Sequence, residues 1–216
     1  MKIFVDFDDV LFNTRAFMRD LVAACAPFGV TPAQWHAAYR DRAGDVPGVH
    51  APFTIVRFAP ILARAVGGDA TVLAQAMEEA TMRNLQKYVF ADSVAFLRYF
   101  SRDDVFILTY GDDTFQRARV VGCGLGALVA ETFVTQAQKV EVLVDYLDAH
   151  PTVMPTEMVY LDDRAVYFGP VKAQLPAVRT VLVMRPERRY NDAPTAACDC
   201  AVQDLVNPRV AVECDT

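Results

Sequence analysis

No apolar run in this chain approaches the roughly 18 residues of a membrane-spanning helix, which excludes an integral helical membrane protein. Positive charge is not in excess either. Its 21 Lys and Arg stand against 27 Asp and Glu, a formal net charge of −6, which argues against nucleic-acid polymers and anionic membrane surfaces as partners. No internal repeat or low-complexity segment is visible. No secretory leader is expected, because the first charges, Lys2 and Asp6, fall inside a predicted strand. The expected location is therefore the cytoplasm. The cysteines are few and scattered: Cys25, Cys123, Cys198, Cys200 and Cys214, an odd number without the pattern of a disulfide framework. Cys198 and Cys200 form a C-x-C with no second Cys or His pair at zinc spacing, and they read as ordinary strand cysteines.

What remains is a chain of 216 residues, 53% hydrophobic and 22% charged, long enough for one well-buried core or for a domain carrying an insertion. Residues 2–7 (KIFVDF) read as a buried strand that ends in acid. From Thr14 to about Tyr88 the texture is helical, with helices predicted over 14–26, 31–43, 52–66 and 70–87. Pro27 and Gly29 stop the first, Thr31 with Pro32 starts the second, and the Pro- and Gly-containing stretch 44–52 must be a loop. Beyond that the chain alternates. Strands are predicted at 104–109, 131–135, 157–162, 180–184 and 200–203, and helices at 92–102, 113–121, 138–149 and 165–174. Such alternation gives a parallel sheet covered on both faces. Segment 185–195 reads as an exposed connection, and Gly122, Gly124 and Gly126 as a helix stop and loop, not a dinucleotide fingerprint.

A strand–helix–strand unit needs about 30 residues. Between the first two strands there are about 70 more than a crossover of that size requires, and they are helical. The fold class is thus α/β, a three-layer Rossmann-like parallel sheet with an inserted all-helical cap. The core is expected over 1–13 and 91–216 and the cap over 14–90, above the carboxyl edge of the strands where open α/β sheets bind ligands.

The strongest chemical signal is Asp6-Phe7-Asp8-Asp9, three carboxylates in four positions directly after an apolar strand. Carboxylates this close repel one another unless a cation or proton intervenes, and Mg²⁺ suits an oxygen-only ligand set. A second acidic pair, Asp162-Asp163, follows another apolar strand, and in a parallel sheet both groups would meet on one edge. Thr109, ending a strand before Tyr110-Gly111, can hydrogen-bond a phosphate oxygen, and Lys139, opening a helix, can balance its charge.

With these four pieces in this order the chain resembles the haloacid dehalogenase-like superfamily. DFDDVLFNT is similar to its nucleophile motif, ILTYG to the second motif, Lys139 to the third and YLDD to the aspartate pair of the fourth. The likeness covers about residues 1–13 and 91–205. Asp9 departs from the glycine many members carry, and Leu161 stands where many have glycine before the acidic pair. The resemblance implies that Asp6 attacks phosphorus and becomes an aspartyl phosphate. It implies that Asp8 protonates the leaving oxygen and then activates water, that Thr109 holds a phosphoryl oxygen, and that Lys139 balances charge. Mg²⁺ would be held by Asp6, the backbone carbonyl of Asp8, and Asp162, with Asp163 assisting. Asp8 would then carry a proton while Asp6 does not, so the two need different environments.

The expected function is a Mg²⁺-dependent phosphatase acting on a small phosphorylated molecule, whether sugar phosphate, nucleotide or other metabolite. A cap of this size disfavours phosphorylated protein. Arg40, Arg42, His50 and Arg57, in or beside loop 44–52, are nominated for substrate specificity. Three other readings stay open: a metal-independent 2-haloacid dehalogenase, a receiver-type module holding a phospho-aspartate, and a catalytically silent binding protein on the same fold.

Overall fold

The computed structural model describes residues 1–41 and 52–214. Six parallel strands form one sheet: β1 (Lys2–Val5), β2 (Val105–Tyr110), β3 (Glu131–Thr135), β4 (Met158–Asp162), β5 (Arg179–Val183) and β6 (Cys200–Val202). Their spatial order is β3-β2-β1-β4-β5-β6, the doubly wound arrangement. Register brings Val5 level with Ile107 on one side and Leu161 on the other. The ends of β1, β2 and β4 therefore share one edge.

The strand sequences explain their places. β1, β2, β4 and β5 are almost wholly buried, as parallel strands covered on both faces must be, whereas β3 and β6 lie at the edges and are more exposed. Alternate side chains part to two faces. Phe4, Phe106, Leu108 and Tyr160 pack with Val140 and Leu143 of α7 (Lys139–Ala149) and Phe168 and Val171 of α8 (Phe168–Gln174). Ile3, Val5, Ile107 and Leu161 pack on the opposite face. Here they meet Phe96 and Leu97 of α5 (Ser93–Tyr99), Val120 of α6 (Asp113–Gly122) and Ala211 of a C-terminal helix, α9 (Pro208–Glu213).

Among the described residues four helices precede α5 in the passage from β1 to β2: α1 (Thr14–Cys25), α2 (Pro32–Asp41), α3 (Ile55–Val66) and α4 (Ala70–Thr81). Their limits follow local chemistry. Asn13, Thr54 and Asp69 cap α1, α3 and α4 with side-chain oxygens. Thr31 and Gln34 bond reciprocally at the start of α2. The predicted fourth helix is shorter than 70–87, because backbone at Asn84 leaves the helical region and Met82–Tyr88 continues as 3₁₀ turns. Trp35, Phe58, Leu62 and Met77 form the inner packing of these helices, continuous through Phe12 and Phe17 with the sheet face that carries Ile3, Val5, Ile107 and Leu161. The chain leaves and re-enters the sheet side by side. The Asn13 amide donates to Tyr88 O at 2.7 Å and the Phe90 amide to Leu11 O at 3.1 Å.

Two expectations are corrected. Cys200 is not a free strand cysteine: it is disulfide-bonded to Cys214, because α9 folds back beside β6 and brings their Cα atoms to 5.8 Å. Nor is segment 185–195 a plain exposed connection. Arg185 is buried, donating to Val10 O at 2.7 Å and pairing with Asp92, and Arg189 reaches back to Asp9. Among the described residues no helix is long and apolar enough to cross a membrane.

Candidate active site

The carboxyl edge gathers Asp6 from the end of β1, Thr109 from β2, Lys139 from the first turn of α7, and Asp162 and Asp163 from the end of β4, all buried. Lys139 is the hub. Its Nζ lies 2.6 Å from Asp162 Oδ2 and 2.8 Å from Asp6 Oδ1; the latter is an ion pair without the alignment of a hydrogen bond. Asp162 is saturated by protein groups, because Oδ2 also accepts from the Tyr160 hydroxyl and Oδ1 accepts from the Arg164 amide at 2.9 Å. Asp163 is the contrasting neighbour: its buried Oδ2 has no hydrogen-bond partner. Asp6, Asp162 and Asp163 each present an oxygen within 4.8 Å of the others.

Asp8 sits beside this nest in a different environment. Its carboxylate accepts from the Thr14 hydroxyl, from Gln116 Nε2 at 2.8 Å and from Arg119 at 2.8 Å. Gln116 also donates to Thr109 Oγ1 at 2.9 Å and accepts from Arg119 at 2.6 Å. Gly111 is required by this arrangement, since a Cβ there would stand 2.7 Å from Gln116 Cγ. Arg119 itself is buried among rings, 4.6 Å from the Phe12 centroid and 4.8 Å from that of Phe17. Asp9 adopts φ 60°, the left-handed backbone that accounts for glycine in similar motifs, and its Oδ2 accepts from Arg189 Nε at 2.6 Å.

Charge and burial set the proton affinities. Burial, then the charges of Asp162 and Asp8, push Asp6 up to about 8 against the pull of Lys139. Burial, then Asp162, Asp6 and Asp9, push Asp163 up to about 9. Burial alone would raise Asp8 too, but Arg119, Arg189 and the Thr14 hydroxyl hold it well below the usual carboxylate range. With protein groups alone around them, the proton therefore favours Asp6 over Asp8. The cause is the set of donors filling Asp8.

Residues fit for a divalent cation are thus present. Asp6, Asp8, Asp9, Asp162 and Asp163 face Lys139, Arg119 and Arg189, and this excess of two negative charges is what such an ion offsets. Asp163 Oδ2 is left bare, whereas the Asp162 carboxylate accepts from Lys139, the Tyr160 hydroxyl and the Arg164 amide.

A cavity of about 200 Å³ opens onto this edge, roofed by Phe17, Met18, Tyr39, Pro52, Phe53 and Phe115. Of the residues nominated for specificity, Arg40 is exposed and does not line it. Arg57 is also exposed and reaches Asp112, the N-cap of α6, at 3.5 Å instead. Arg42 and His50 lie outside the described residues. Sequence reasoning missed Thr14, Gln116, Arg119, Arg164 and Arg189. Only Thr14 carried a local signal, as the last residue of the nucleophile-like segment DFDDVLFNT; the others reach the site through folding alone.

No sequence-family model and no curated protein matches the chain. Solved structures do. A haloacid dehalogenase-like hydrolase from Burkholderia xenovorans superposes with a TM-score of 0.70 at 18% identity, over 95% of this chain and 93% of that one. The fold is that of the haloacid dehalogenase-like hydrolases. An L-2-haloacid dehalogenase from Xanthobacter autotrophicus shares this haloacid dehalogenase-like fold with a TM-score of 0.66 at 17% identity, over 97% of both chains. So does the HAD hydrolase YfnB from Bacillus subtilis, in a magnesium-bound structure, with a TM-score of 0.64 at 13% identity and 96% of both chains covered. Likeness to dehalogenases and to a magnesium-bound hydrolase leaves the chemistry to be argued from the site.

Proposed function

We propose that this protein is a Mg²⁺-dependent phosphatase that removes phosphate from a small monoester through an aspartyl-phosphate intermediate. The observation that carries the reading is the buried group of carboxylates in excess of its cations, with Asp163 Oδ2 unpartnered. A reaction at carbon has no need for that excess, whereas phosphoryl transfer needs charge neutralised around the attacked phosphorus.

Asp6 and Asp163 would hold the ion, with Asp162 fixed behind them. When bound, Mg²⁺ would lower the proton affinity of Asp6 and neutralise charge on the phosphoryl group. Asp6, at the rigid end of β1, is placed to attack phosphorus; the phosphorus–oxygen bond to the alcohol breaks and the alcohol leaves with a proton. Lys139 Nζ, already between Asp6 and Asp162, supplies a fixed positive charge beside the attacked group. The Thr109 hydroxyl, oriented by Gln116, offers a hydrogen bond to a phosphoryl oxygen. Asp8, held as a carboxylate by Thr14, Gln116 and Arg119, suits the second step, in which a base takes a proton from the water that cleaves the acyl phosphate. To protonate the leaving alcohol Asp8 must first loosen its contact with Arg119 and take up a proton from solvent, which it then gives to the departing oxygen and regains from the attacking water. The inserted helices exclude bulk water from the edge below.

Asp6→Asn is expected to lower Mg²⁺-dependent phosphate release by about a thousandfold or more while the melting transition persists. Unchanged turnover would remove Asp6 as nucleophile. The dehalogenase reading draws on the fold likeness to L-2-haloacid dehalogenases. Chloride release from a 2-haloacid in the presence of a chelator would establish it in place of the phosphatase.

A further inference from the structure

The cavity has two unlike halves. The sheet edge supplies every charged group that lines it among the described residues, and the inserted helices with their flanking chain supply the apolar roof of Phe17, Met18, Tyr39, Pro52 and Phe53. Phe53 is central to that roof, 5.8 Å from Tyr39 and 5.7 Å from Phe115 between ring centroids.

Among the described residues each lining cation is paired with a carboxylate, although Arg119 Nε, buried among rings, has no hydrogen-bond partner. Arg119 pairs with Asp8 at 2.8 Å, Arg189 with Asp9 at 2.6 Å and Arg164 with Asp192 at 3.1 Å, and Lys139 serves Asp6 and Asp162. Arg164 is further fixed by stacking, its guanidinium 3.8 Å from the centroid of Tyr190. A second carboxylate or phosphate on a substrate would have to displace one of these carboxylates or stay unpaired in a half-buried site, which costs several kcal/mol. The volume of about 200 Å³ is also below the range of roughly 300–1,000 Å³ usual for pockets that hold drug-sized ligands.

We propose that the substrate is a phosphate monoester whose only anionic group is that phosphate, and whose alcohol part is a compact apolar body such as a single ring. This rests on the phosphatase reading and narrows it. Phosphorylated sugars, phosphorylated carboxylic acids and nucleotides are disfavoured, because the roof offers mainly apolar surface to hydroxyls and, among the described residues, no cation without a carboxylate to a second anion. The reaction takes the monoester and water to the free alcohol and inorganic phosphate.

The test is phosphate release by the full chain with MgCl₂ from benzyl phosphate, glycerol 3-phosphate and 3-phosphoglycerate, with p-nitrophenyl phosphate as an activated control. All three are esters of alcohols, so differences among them report recognition more than leaving-group chemistry. Benzyl phosphate is expected to exceed the other two in kcat/KM by about tenfold or more, the scale on which apolar pockets discriminate. Phe53→Ala is expected to raise KM for benzyl phosphate by about tenfold with kcat within about twofold, and Phe53→Leu to keep most of the affinity. The Leu variant keeps the assignment testable should Ala unfold. Asp192→Asn, which leaves Arg164 without its carboxylate, is expected to lower KM for 3-phosphoglycerate. Equal or better use of glycerol 3-phosphate or 3-phosphoglycerate by the wild type overturns the proposal. So does failure on all three esters: turnover of p-nitrophenyl phosphate would then leave the phosphatase reading standing, and its absence would remove both.

Discussion

Asp9 combines a left-handed backbone with an ion pair in which the carboxylate is buried and Arg189 is partly exposed, and the two act in opposite directions. Asp9→Gly would relieve backbone strain of about 1 kcal/mol but remove the charged hydrogen bonds to Arg189, a loss of about 2 kcal/mol with one partner buried. A lower urea midpoint is the expected outcome; a higher one would show the pair to be worth less than the strain. Arg119 poses a similar question. Arg119→Met keeps the ring contacts but leaves Asp8 with the hydrogen bonds of Thr14 and Gln116 and the more distant charge of Arg189, and is expected to cost about 3 kcal/mol in chemical denaturation. The raised carboxyls give a pH signature. Asp6 near 8 and Asp163 near 9 bind protons more tightly folded than unfolded, so each favours the fold below about pH 4 and progressively less as pH rises toward those values. In EDTA the melting temperature should therefore fall between pH 5 and 9, and millimolar MgCl₂ should remove most of that fall. A melting temperature indifferent to both would contradict an ion site at Asp163. The acids of this site were legible in the sequence because charge directly after an apolar strand is anomalous. Gln116, Arg119 and Arg189 were not, because an Arg on a polar helix face or in a polar loop looks solvated until folding supplies its partner.

At the scale of elements, strands and helices with strong periodicity were legible to within a few residues, as at Glu131–Thr135 and Lys139–Ala149. Two misreadings share a cause. The helix expected to run on to residue 87 breaks at Asn84, where burial of Leu85 and Tyr88 outweighs helix propensity. α9 went unpredicted because Pro-Arg-Val-Ala-Val-Glu is short and rich in β-branched valine; its place is secured by packing of Ala211 and Val212 and by the Cys200–Cys214 bond. That bond closes a loop of about 15 residues, for which chain entropy predicts about 3 kcal/mol. Cys214→Ser, or reductant added to the wild type, should lower the melting temperature by several degrees without altering phosphate release, since β6 lies at the far edge of the sheet. Loss of activity in step with reduction would show that the edge communicates with the site.

For the molecule as a whole, the doubly wound topology and the position of the insertion followed from alternation and from the long gap between the first two strands. Where the roof is apolar did not, because aromatic residues on helices read equally as core. The passage of chain between sheet and inserted helices is also a property of the whole fold. Outgoing and returning segments run next to each other, Phe12 bridging Val89 and Asn13 bonded to Tyr88. An appendage tethered through one such seam behaves as an interchangeable part. Excising it leaves a gap that a tight turn could span, and grafting another would redirect selectivity provided that the graft keeps Thr14, whose hydroxyl reaches down to Asp8.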